Sequence, residues 1–342
     1  MHMAVTIKDV AALAGVSPST VSRTCKNHPS ISRETKERVR RAIEQLGYEP
    51  GFQAEQTEEP ISRTIGMILP PSYRESFENA FYLEAIRGIS QFCNQHGYIN
   101  TVITGQDDKE ILGAVTAMVK SGKVDGFIVM YAKQNDPIAE YLYNEGLLYV
   151  VIGKAHKFAN QTVYIDNDNV LAGQEATEYL IQLGHRRIAY LGSDSNLIFS
   201  ADRKNGYQLA LMQNGIPVEP RYIAETQFLP EELGMQIHDL LEGEDRPTAI
   251  LVSDDLFAVA LERACIEAGL SIPGDLSIIS FNNSLMARLT SPPLTSIDIN
   301  SVQLGYEAAS QMINHIENPN LMATKIIVPH RLVERHSCRE YK

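Results

Sequence analysis

The run SPSTVSRTCK sets small hydroxyls and cations at close spacing: Ser17, Ser19, Thr20, Ser22, Arg23 and Lys26, with Pro18 among them. Such side chains can handle DNA. Hydroxyls approach bases and phosphates closely, an arginine reaches guanine edges, and a lysine pairs with phosphate. Charge points the same way. Residues 1–50 carry a net charge of +3 and residues 51–342 carry −15. A basic head on an acidic body fits a head that meets nucleic acid, and a net charge of only +3 fits ordinary surface charge equally.

Three short helices must position these residues. Thr6 precedes IKDVAALA with Asp9 three residues on, a capping-box start, and Ile7, Val10, Ala11 and Ala14 form one apolar stripe. Gly15 ends that helix. Ser17 caps the next, with Pro18 at its first position, where a missing N–H costs nothing. Ser32 caps a third helix whose core face is Val39, Ala42, Ile43 and Leu46, with Gly47 as its stop. Two short helices joined by A-G-V-S have the form of a helix-turn-helix, although the turn chemistry alone also fits a small three-helix protein-interaction bundle.

Beyond residue 62, apolar β-rich runs (RTIGMILP, YINTVITG, VDGFIVMY, LLYVVIG, RIAYLGS, AILVSD, LSIISFNN) alternate with amphipathic helical stretches. That alternation predicts an α/β body of parallel sheets with helices on both faces, in two lobes with a cleft between them. Ligands bind such folds at the carboxyl ends of strands. Catalytic signatures are missing: the sequence has no GxxxxGK, GxSxG or HExxH, so an enzyme is not expected. Cys25, Cys93, Cys265 and Cys338 lack metal-ligand spacing, and His330 and His336 read as surface residues, so neither a metal nor a cofactor is expected. No apolar run has the length of a membrane span, and MHMAVTIKDV lacks a signal-peptide core, which together predict a cytoplasmic protein.

The stretch TIKDVAALAGVSPSTVSRTCKN closely resembles the head of the lactose-repressor (LacI/GalR) family of bacterial transcription regulators. GQEATEYLIQLGHRRIAYLGS, ADRKNGY, SDDLFAVA, PPLTSIDIN and VPHRLVERHS match further family blocks. The resemblance implies a helix-turn-helix head over 4–49, a hinge over 50–62, and a two-lobed periplasmic-binding-protein-like type I core over 63–340. The N-lobe would take about 63–163 and 296–325, and the C-lobe about 164–295 and 326–340. It also implies a homodimer on a pseudo-palindromic operator, with Thr6 and the second-helix residues on DNA. No heptad extension follows Arg339, which favours a dimer over a coiled-coil tetramer. The family hinge inserts a leucine into the minor groove. Here the positions of its usual Asn, Arg and Leu hold Gly51, Glu55 and Thr57, with Ala54 retained. Acidic residues near phosphate weaken docking, so the expectation is a partly disordered hinge and low operator affinity for the family.

By the same resemblance, Phe81, Tyr82, Lys154, Arg203, Phe228, Asp254 and Asn282 fall at effector-contact positions. Lys154 and its Gly153 neighbour resemble the maltose-operon repressors. Arg203 would clamp vicinal hydroxyls with its guanidinium fork, Phe228 would stack on a sugar ring, and Asp254 and Asn282 would accept hydroxyl hydrogen bonds. Many relatives carry an amide and then an aspartate at the last two positions; the order here is reversed. The expected activity is a repressor of sugar-utilisation genes released by maltose or a maltodextrin. The rivals are a catabolite-control regulator activated by a phosphorylated carrier protein, a sugar receptor, and a sugar-active enzyme.

Overall fold

The computed structural model describes residues 6–25, 31–48, 62–71, 79–226 and 230–342. The head is formed by α1 (Ile7–Ala14), α2 (Pro18–Cys25) and α3 (Arg33–Leu46). Its small core joins Val10, Ala11, Ala14, Val21, Val39 and Ala42. The caps follow the sequence. Thr6 donates its backbone N–H and its hydroxyl to Asp9, at 2.8 and 2.7 Å. Ser17 Oγ accepts from the Thr20 N–H, and Ser32 Oγ from that of Thr35. Gly15 takes the left-handed conformation that closes α1 (φ 64°).

Two six-stranded sheets make the body. The first runs through β1 (Thr64–Ile68), β2 (Ile99–Ile103), β3 (Gly126–Val129), β4 (Tyr149–Ile152), β5 (Val163–Asp166) and β11 (Lys325–Ile327), in the order β11-β5-β4-β3-β1-β2 with every pairing parallel. The second contains β6 (Ile188–Ser193), β7 (Ile223–Thr226), β8 (Ala249–Val252), β9 (Ser277–Phe281), β10 (Thr295–Asp298) and β12 (Arg331–Val333), in the order β12-β10-β9-β8-β6-β7. Only β12 runs antiparallel to its neighbour in that sheet. Apolar runs such as GFIV and AILV are buried along their whole length, as strands covered on both faces must be.

The helices nearest the cleft pair closely in each lobe. In the first, α4 (Ala80–Gln95) packs on α12 (Ser301–Glu317); in the second, α7 (Asn169–Gln182) packs on α8 (Ile198–Gln213). Glycines set both spacings. A Cβ at Gly88 would lie 2.0 Å from the Val302 carbonyl oxygen, and one at Gly206 would lie 2.0 Å from that of Val170. The remaining helices used below are α6 (Pro137–Asn144) in the first lobe and α10 (Asp255–Glu267) in the second.

The chain crosses between lobes a few residues later than the sequence reading placed it. Val163–Asp166 is a strand of the first sheet, Thr295–Asp298 belongs wholly to the second, and Lys325–Ile327 returns to the first. The crossings therefore follow Asp166, Asp298 and Ile327, because each sheet completes its strand before releasing the chain.

Candidate functional site: the interlobe cleft

Strand ends and helix starts from both lobes line a cleft with about 560 Å³ of open space, solvent at its mouth included. Its C-lobe wall is polar. Arg203 projects from α8 and is 3% exposed. The close approach of α7 and α8, permitted by Gly173 and Gly206, fixes where its guanidinium can reach. Arg203 Nε donates to Asn169 Oδ1 at 2.8 Å, and Nη1 donates to the Ser253 carbonyl at 2.7 Å. The guanidinium carbon stands 4.1 Å from the centre of the Phe281 ring and 4.9 Å from that of Phe199. Burial pushes its pKa down to about 10, which still leaves it a cation at neutral pH.

Asp254 follows β8 and caps α10, accepting the Leu256 N–H at 2.8 Å. Its other oxygen accepts two amides: Asn282 Nδ2 at 2.7 Å and, from the opposite lobe, Asn79 Nδ2 at 2.8 Å. Burial, and then the neighbouring Asp255, raise the Asp254 pKa to about 6. Asn282 holds φ at 95°, a left-handed conformation uncommon outside glycine, at the point where β9 meets the cavity. Asp166, at the end of β5, is pushed up to about 7 chiefly by burial and accepts Asn169 Nδ2 at 3.0 Å.

The N-lobe wall is more apolar. Phe81 and Tyr82 open α4, their rings edge-on with centroids 5.1 Å apart, and both line the cavity. Thus Phe81, Tyr82, Arg203, Asp254 and Asn282 come together around one space. Lys154 does not line it. It sits at the rim, where its ammonium pairs with Asp202 of the other lobe at 3.1 Å. A carboxylate next to Arg203 in sequence draws the lysine across the mouth rather than inward. Phe228 lies outside the described residues.

The cleft also holds residues that the sequence reading missed: Asn79, Asp166, Asn169 and Phe199. Two of them carried a signal. Phe199 precedes Arg203 by one helical turn and so shares its face, and Asp166 closes the strand VYID. Asn79 and Asn169 reveal their roles only once the lobes are assembled.

In the head, Ser17, Pro18 and Thr6 are exposed, and Thr20 and Ser22 are partly so. Arg23 departs from the expectation of a free base-reading side chain. It is 5% exposed, stacks 3.3 Å above the centre of the Tyr143 ring and donates to the Tyr143 carbonyl. The last turn of α6 offers the negative end of the helix dipole and an aromatic face, both attractive to a guanidinium, so Arg23 turns to the body. Lys26, the side chain of Ser19 and the hinge residues Gly51, Ala54, Glu55 and Thr57 lie outside the described residues.

A helix-turn-helix head on a two-lobed binding body defines a ligand-responsive DNA-binding regulator. The chain belongs to the lacI family of bacterial regulatory proteins: that family's model matches residues 6–51, and a periplasmic binding protein-like domain matches residues 177–338. It is a transcriptional regulator and not an enzyme. The HTH-type transcriptional regulator MalR of Streptococcus pneumoniae is 34% identical over 97% of this chain and 100% of its own length. MalR of Staphylococcus xylosus is 35% identical over 97% of this chain and 98% of its own. Among solved structures, the transcriptional regulator CelR–cellobiose complex superposes with a TM-score of 0.76 at 26% identity, covering 97% of this chain and 99% of that one.

Proposed function

We propose that this regulator is a cytoplasmic homodimer that represses sugar-utilisation genes and leaves its operator when maltose or a maltodextrin fills the interlobe cleft. The observation that carries this reading is the Asp254 carboxylate, held by an amide from each lobe and facing Arg203 and two aromatic rings. Carboxylate, amide and guanidinium groups match the alternating donors and acceptors of a polyol, while Phe81 and Tyr82 suit the C–H faces of a sugar ring. A sugar hydroxyl can replace the Asn79 amide on Asp254, so occupancy acts directly on a bond that joins the lobes. A solved structure described as a probable maltose operon transcriptional repressor, 30% identical over 81% of this chain with a TM-score of 0.75, supports the choice of maltose.

Thermal unfolding across maltose, maltotriose, glucose, trehalose and sucrose tests this reading. A ligand at about 100 times its dissociation constant adds about 2.7 kcal/mol. Maltose or maltotriose alone should raise the melting temperature by several degrees. A flat response to every sugar would reject the proposal and favour control by a phosphorylated carrier protein.

A further inference from the structure

Three segments carry the chain between the lobes, and one side chain ties them together. Asn167 lies in the first crossing, just beyond β5, and is 4% exposed. Its Nδ2 donates to the Ile299 carbonyl in the second crossing at 3.1 Å and to the Val328 carbonyl in the third at 2.8 Å. A primary amide has two N–H donors, and here both are used, one on each of the other crossings. Next to this clasp, the backbone N–H of Val328 donates to the Asp166 carbonyl at 2.8 Å.

The clasp also reaches the cavity. Asn167 is part of the cavity wall. The Asn169 backbone N–H donates to the Asn167 carbonyl at 3.0 Å, while Asn169 Oδ1 accepts from Arg203. A continuous hydrogen-bonded chain therefore runs from the guanidinium in the cleft, through Asn169 and Asn167, to every segment about which the lobes can turn. Any change of lobe angle must bend those three segments, and the clasp holds their relative positions as they bend.

We propose that Asn167 is the positioning residue of the allosteric response: it makes the three crossings turn as one pivot, so that a ligand in the cleft changes the lobe angle as a unit and thereby operator affinity. This inference rests on the sugar-released reading above. Without the clasp each crossing can flex separately, and the same ligand closes the cleft without delivering a defined rotation to the head. The loss is one of coupling rather than of binding, which separates this role from a purely structural one.

The test uses full-length protein, a duplex selected from a random pool by the wild type, and maltose. Maltose affinity and the maltose-induced drop in duplex affinity are measured for the wild type, Asn167→Ala and Asn167→Ser. In Asn167→Ala the drop in duplex affinity, read at saturating maltose so that a change in maltose affinity does not enter it, should shrink at least about fivefold, within the usual span of allosteric coupling. Asn167→Ser keeps one donor and should fall between the two. It also serves as the test if Asn167→Ala does not fold. A variant that binds maltose and releases the duplex by the full wild-type factor overturns the proposal. A wild type that binds maltose and keeps its duplex refutes instead the sugar-released function.

Discussion

The two lobes are built alike and face the cleft differently. Each presents a glycine-notched helix pair and a wholly or mostly parallel sheet to the centre, α4 on α12 in one and α7 on α8 in the other. The C-lobe pair brings Arg203 and Asn169 into hydrogen-bonding distance. The N-lobe side supplies Phe81, Tyr82, the Asp166 carboxyl at the end of β5 and the Asn79 amide that crosses to Asp254. One scaffold thus provides a polar, internally bonded wall and an aromatic wall. Specific recognition of hydroxyls belongs to the first, and ring contact and closure belong to the second.

The largest expected effect falls on the polar wall. Arg203→Ala removes a buried cation and strands Asn169 Oδ1 and the Ser253 carbonyl, so maltose affinity should drop by about 100-fold or more, read by calorimetric titration. Retained affinity would place recognition on the aromatic wall. The glycine notches sharpen the contrast. Gly206→Ala and Gly88→Ala each force a Cβ onto a backbone carbonyl and should destabilise the protein by about 1–3 kcal/mol. Only Gly206→Ala, by shifting α8 against α7, should also weaken maltose binding several-fold. Equal effects of the two on maltose would erase the distinction.

A pH series probes the N-lobe side of the cleft at Asp166, the last residue of β5. The Asp166 pKa is raised by burial to about 7, so the folded state holds its proton more tightly than the unfolded state, whose value is about 3.9. Its stabilising contribution is full below pH 4 and is lost as pH rises through 7. Asp166→Asn should therefore gain stability relative to the wild type between pH 4 and 8, by up to a few kcal/mol, on the order set by a shift of that size. A melting-temperature difference independent of pH would show that Asp166 is better solvated than its burial suggests. The smallest effect is expected at the rim. Lys154→Ala removes a half-exposed ion pair and should change stability by less than about 1 kcal/mol, with little change in maltose affinity.

Much of this was legible in the sequence because it is local. Caps at Thr6, Ser17 and Ser32, the stop at Gly15 and the strand–helix alternation each depend on a few neighbouring residues. Arg203, Asp254 and Asn282 could be placed because strand ends and matched family positions converge on one cleft. What the sequence hid was pairing across distance. Asn79 meets Asp254, Lys154 meets Asp202 and Asn167 meets Ile299 and Val328 only because two lobes with interleaved chain paths are brought together. The contact of Arg23 was hidden for the same reason: its partner, Tyr143, lies in another domain. The altered hinge, Gly51 to Thr57, falls outside the described residues, so its expected weakness on DNA is a matter for binding experiments.

The most direct test of sugar-released repression is reciprocal. Maltose is titrated into the free protein and into the protein saturated with its selected duplex. Linkage requires that the duplex weaken maltose binding by the same factor by which maltose weakens duplex binding, about 5–150-fold for typical coupling. Matching factors are expected. Equal maltose affinity with and without duplex would contradict release by this sugar.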